Sequence, residues 1–77
     1  MNTLIDTPMA ARHSDGYIEI TMASGNHHRI PVSASDRLSN ASHAELDDIE
    51  LSPFGLHWPK LDEDLSVRGI IAEASEH

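Results

Sequence analysis

Between Tyr17 and Val32 the chain alternates with a two-residue period. Ile18, Ile20 and Met22 are interleaved with Tyr17, Glu19 and Thr21, and His28, Ile30 and Val32 with His27, Arg29 and Pro31. A period of two places every second side chain on one face of a strand, a pattern that an amphipathic helix does not produce. Ser24-Gly25-Asn26 separates the two runs with turn-forming residues, which predicts a β-hairpin with one apolar face. Pro31 has no amide to donate to a ladder, so the second strand is expected to end there or lie at an edge.

A similar pattern recurs later. Ile49 and Leu51 alternate with Asp48 and Glu50, Leu56 and Trp58 flank His57, and Ser52-Pro53-Phe54-Gly55 carries Pro and Gly where a tight turn uses them. These residues predict a second hairpin. Between the hairpins, Ser33 to Asn40 is rich in Ser and Asp around Leu38, which suggests a helical turn capped by Ser33 or Ser35. Ser42-His43-Ala44-Glu45 matches the S-x-x-E capping box, with a short helix over His43 to Asp47. After the second hairpin, Asp62-Glu63-Asp64 leads to Ser66 as a cap, and Val67, Ile70 and Ile71 form a helical stripe. The expected fold class is α+β: a small antiparallel sheet of two hairpins, with a short middle helix and a C-terminal helix packed on one face. Residues 1–14 show no sustained period and are expected to form a flexible N-terminal arm, and residues 15–77 a single domain.

At 77 residues the core is small, and a pocket able to enclose a substrate is hard to accommodate, so the chain reads as a non-enzymatic binding module without a cofactor. No Ser lies in a nucleophile elbow and no Gly-rich phosphate loop is present. The absence of cysteine fits a reducing cytoplasm. The N-terminus lacks a signal-like basic and apolar run, and no apolar stretch approaches the roughly 20 residues of a membrane span. A soluble, cytoplasmic protein is expected. Arg12, Arg29, Arg37, Lys60 and Arg68 are scattered and are expected to make no patch, which argues against direct binding to nucleic acid or anionic lipid.

The charge is lopsided. Of 13 carboxylates in the chain, nine lie from Glu45 onward with two basic residues, against four carboxylates and three basic residues before them. Two clusters, Glu45-Asp47-Asp48-Glu50 and Asp62-Glu63-Asp64, flank the second hairpin, which would bring them close together. They have three readings. A solvated surface that caps helices is one. A phosphate mimic that meets a Lys- and Arg-lined groove is another, since alternate strand residues such as Asp48 and Glu50 repeat at roughly the 7 Å spacing of phosphates along a DNA strand. A metal site is the third, although Asp62-Glu63-Asp64 lacks the EF-hand loop pattern, and His27 and His28 point to opposite faces of a strand. Trp58 is the expected main core residue and His57 its exposed neighbour rather than a catalytic base. Phe54, at a turn between Pro53 and Gly55, is expected to be exposed.

The mimic reading makes the chain an inhibitor that occludes the basic surface of a nucleic-acid-binding protein. Glu45, Asp47, Asp48, Glu50, Phe54, Asp62, Glu63 and Asp64 are its candidate contacts, and it would act as a monomer or weak homodimer.

Leu38-Ser39-Asn40-Ala41-Ser42, and the run from Gly55-Leu56-His57-Trp58-Pro59 through Ile71, resemble a family of small bacterial and phage domains of unknown function. Its members read R-L-x-x-A and then G-x-H-W-P-x-L-D-E-D-[IL]-S-V-x-G-L-L. The resemblance spans Tyr17 to Ala72. It implies the same α+β domain, occasional fusion to helix-turn-helix modules and toxin–antitoxin neighbourhoods, with no established enzymatic activity. Leu46 and Ile49 stand where the family pattern has an Arg and an aromatic, and Asp47 and Asp48 make the region more acidic. By size and charge the chain is also similar to acidic anti-CRISPR proteins, which makes a CRISPR effector subunit a candidate partner. An antitoxin or regulatory accessory domain that binds a cognate toxin is the alternative, and an acidic metal-binding module a second one.

Overall fold

A computed structural model describes residues 6–74. The elements run β1 (Pro8–Ser14), β2 (Tyr17–Met22), β3 (His27–Pro31), a 3-10 turn (Val32–Ala34), α1 (Asp36–Ser39), α2 (His43–Asp47), β4 (Glu50–Ser52), β5 (Gly55–Trp58), β6 (Glu63–Ser66) and α3 (Val67–Ala74). The strands make two three-stranded antiparallel sheets, sheet A in the order β1-β2-β3 and sheet B in the order β4-β5-β6. The chain is therefore a small β-rich fold with short helices, and the expected α+β arrangement of two hairpins with a packed helix is incorrect.

Each expected hairpin gains one strand at its edge. β1 occupies Pro8–Ser14, where a flexible arm over 1–14 was expected; residues 1–5 lie outside the described residues. Its apolar alternation is weak because Pro8, Ala11 and His13, none of them a large aliphatic residue, stand opposite the buried Met22, Ile20 and Ile18. The ladder to β2 and the Asp15-Gly16 turn hold it instead. Both turn residues have positive φ, 51° and 80°, the backbone that a tight hairpin turn requires and that Asp-Gly supplies. Asp6, just ahead of β1, accepts the Ser24 amide at 3.0 Å and the Ser24 hydroxyl at 2.6 Å, and these bonds hold its carboxyl below the usual range.

β6 is the second addition. Glu63-Asp64-Leu65-Ser66 was expected to lead into a helix, but it pairs along β5 from Trp58↔Glu63 to Gly55↔Ser66. α3 follows at once, and Ser66 Oγ caps it by accepting the Gly69 amide at 3.0 Å, as expected. The capping box at α2 forms as well, with Ser42 and Glu45 satisfying each other's backbone amides.

One core joins the two sheets and the helices. Ile18, Ile20, Met22, Ile30, Leu38, Leu46, Leu56, Trp58 and Ile70 are buried in it. Trp58 is fully buried, and its indole N–H donates to the Leu46 carbonyl at 3.1 Å, so its one polar atom is satisfied where water is excluded. Because strand side chains alternate, committing Leu56 and Trp58 to the core turns His57 to the opposite, outer face of sheet B.

Candidate functional site

The outer face of sheet B carries one cross-strand row. Glu50 stands opposite His57, and His57 opposite Asp64, so one carboxylate from each sequence cluster flanks a single imidazole. His57 Nδ1 and Asp64 Oδ1 are 2.6 Å apart. The Asp64 hydrogen bond is the main influence raising the His57 pKa above its ordinary value, with desolvation opposing it and the charges of Asp64 and Glu50 adding to it.

A raised folded-state pKa stabilises the chain fully below the unfolded value near 6.5, and that contribution is lost as pH rises through the folded value. Following the His57 ring protons by NMR is expected to give a midpoint above the ordinary histidine value. Asp64→Asn is expected to bring it back towards that value; a midpoint unmoved by the substitution would contradict the pairing.

Phe54 stands at the β4–β5 end of this face and is 82% exposed. Its turn is fixed at both ends: the Phe54 amide donates to Ser52 Oγ at 3.2 Å, and its carbonyl accepts the Val67 amide at 2.9 Å. Leu51 and Met9 are also exposed, which gives the chain apolar surface as well as charge.

The remaining candidates separate by what they touch. Glu45 is used in the α2 capping box. Glu63, on the inner side of β6, accepts the Ser35 hydroxyl at 2.5 Å and so ties β6 to the N-cap of α1. Asp48 Oδ2 lies 3.8 Å from Lys60 Nζ, and Asp47 Oδ1 4.0 Å from His13 Nδ1. Asp62 sits in the β5–β6 turn at a φ of 52°, and its carbonyl accepts from Arg37 at 3.0 Å. The expected phosphate-like repeat of Asp48 and Glu50 along one strand is not formed, because β4 spans Glu50–Ser52 and Asp48 is the C-cap of α2. Of the two clusters, Glu50 and Asp64 flank His57 from either side of β5, and the clusters do not come together as whole blocks.

Among the described residues no group of three His, Cys, Asp or Glu side chains is placed to hold a metal ion. Nor is any helix among them long and apolar enough to cross a membrane. Arg12 and Arg29, expected to be scattered, stand on either side of Glu19 across sheet A. Placing Arg12 needs β1, for which Asp15-Gly16 is the available sequence signal.

The family described as "Protein of unknown function (DUF2442)" matches residues 8–76, which takes in every strand from β1 to β6. The chain belongs to this family. A solved structure described as a protein of unknown function from Rhodospirillum rubrum ATCC 11170 is similar to it, with a TM-score of 0.78 and 28% sequence identity, covering 87% of this chain and 86% of that one. A search of curated proteins gives no match. The family match begins at the first residue of β1, so the edge strand belongs to the family's unit and is not an appendage.

Proposed function

We propose that the chain is a non-enzymatic acidic docking protein that covers the basic, nucleic-acid-binding surface of a partner protein with the outer face of sheet B. The Glu50–His57–Asp64 row supports this reading: two carboxylates on one exposed face, with Phe54 at its end. On a chain with a net charge of -8, such a face draws in a positive surface over a long range, while Phe54 supplies an anchor that slows release. Arg on the partner is the favoured mate, because a guanidinium meets a carboxylate through two parallel bonds. An anti-CRISPR protein acting on a CRISPR effector in the cytoplasm is the most concrete form of the reading, and it needs no cofactor.

A second reading draws on the exposed apolar side chains. Phe54, Leu51 and Met9 suit an antitoxin or regulatory domain that grips a cognate toxin through contact rather than charge. The toxin–antitoxin-like gene neighbourhoods that the family resemblance implies belong with this reading.

A gel-shift competition separates the two. Added to a basic DNA-binding partner already holding a short duplex, the chain is expected to release the DNA, and to lose this effect as salt rises. A ternary complex of chain, partner and DNA would overturn the occlusion reading.

A further inference from the structure

The outer face of sheet A differs in sign from the rest of the chain. The register places Arg12 opposite Glu19 and Glu19 opposite Arg29, so three charged side chains from three strands form one row. Glu19 Oε1 lies 3.1 Å from both Nε and a terminal nitrogen of Arg12, and Oε2 lies 3.6 Å from Arg29 Nε. One carboxylate therefore holds two guanidiniums and leaves an uncompensated positive charge. Arg29 is further fixed by the Tyr17 ring, whose centroid is 4.0 Å from its guanidinium carbon. Both arginine side chains are open to solvent, at 74% and 58% exposure. The terminal nitrogens of Arg29 make no hydrogen bond among the described residues.

Beside this row runs a second one, Ala10–Thr21–His27, in which Thr21 Oγ1 and His27 Nδ1 are 3.2 Å apart. Ala10 puts only a methyl group into this row. An open depression of about 520 Å³ is lined by Ala10, Arg12, Glu19, Thr21, His27 and Arg29 among others. That volume falls within the range of small-ligand sites, about 300–1,000 Å³.

We propose that this depression binds a small oxyanion, a phosphate monoester or a polycarboxylate, between Arg12 and Arg29. Guanidiniums held in place by a carboxylate and an aromatic ring present paired donors that match the oxygens of such a group. The net charge of -8 selects against long polyanions, whose many phosphates would meet the acidic remainder of the chain, whereas a single small anion meets only the local field. The site lies on sheet A and is independent of the docking face on sheet B.

The test is a two-dimensional NMR titration of the full chain with inorganic phosphate and, separately, citrate at constant ionic strength. Saturable shifts centred on residues 10–12, 19–21 and 27–29 are expected. Saturation by phosphate identifies a phosphoryl ligand, and saturation by citrate alone a polycarboxylate. Arg29→Met is expected to weaken binding at least about tenfold. The double variant Arg12→Met/Arg29→Met, its fold verified in the same spectra, is expected to lose it. No saturable shift with either anion, or shifts unchanged in the double variant, would overturn the proposal. Tighter binding of a DNA oligonucleotide at this face would overturn the assignment to a small ligand.

Discussion

Gly55→Ala is expected to remove a large share of the chain's folding stability. Gly55 is buried at the first position of β5 with a φ of 155°, and an added Cβ would be pushed into the Leu65 carbonyl oxygen while lying 2.9 Å from Ser66 Cα. Both obstacles are backbone of the paired strand β6, which cannot move aside without breaking the ladder that also positions Asp64 and the start of α3. Strain and overpacking together are expected to cost about 3–6 kcal/mol. A chain of 77 residues has only about 4–12 kcal/mol of stability. Urea unfolding followed by the fluorescence of Trp58, the single tryptophan, reads the loss directly. Gly25→Ala is the control. That glycine also has positive φ, 96°, but open space around it, and should cost about 1–2 kcal/mol. Equal effects of the two substitutions would contradict the close approach of β5 and β6.

The second large effect is functional. Glu50→Lys/Asp64→Lys places two ammonium groups on the outer face of sheet B, one on each side of His57. Against a basic partner each former attraction becomes a like-charge contact worth several kcal/mol, so affinity is expected to fall about 100-fold or more. Glu50 has no hydrogen bond to lose among the described residues, and the Asp64–His57 pair is exposed, so the fold should tolerate both changes. Reversing Asp62, Glu63 and Asp64 as a block is a poorer test. Glu63 accepts the Ser35 hydroxyl at the N-cap of α1, and reversing it would damage the fold along with the face.

The legible part of this fold is the part whose side chains alternate across a buried face. Ile18, Ile20 and Met22 against Ile30, and Leu56 with Trp58, show their period because the core removes every second residue from water. The edge strands are different. β1 contributes only Pro8, Ala11 and His13 opposite the buried positions of β2, and β6 has one apolar residue, Leu65, so the partner's ladder specifies them more than their own pattern does. Asp15-Gly16 signals the β1–β2 turn, although the run before it carries too little apolar character to look like a strand.

The site was partly legible for the same reason. The β4–β5 hairpin sets Glu50 beside His57, but Asp64 reaches that row only through β6, and strand alternation sends Asp64 outward and Glu63 inward, which grouping the acids by sequence does not capture. The Arg12–Glu19–Arg29 row requires the β1 register and could not be assembled without it.

Docking by sheet B is proposed to run through charge. Its most direct test is the dissociation constant of the complex with a basic nucleic-acid-binding partner, measured from about 0.05 to 0.5 M salt for the native chain and for Glu50→Lys/Asp64→Lys. Binding by the native chain that weakens steeply with salt, and is about 100-fold poorer in the variant at the low-salt end, is the predicted result. An affinity that stays flat across the salt series and is unchanged by the reversal would contradict it.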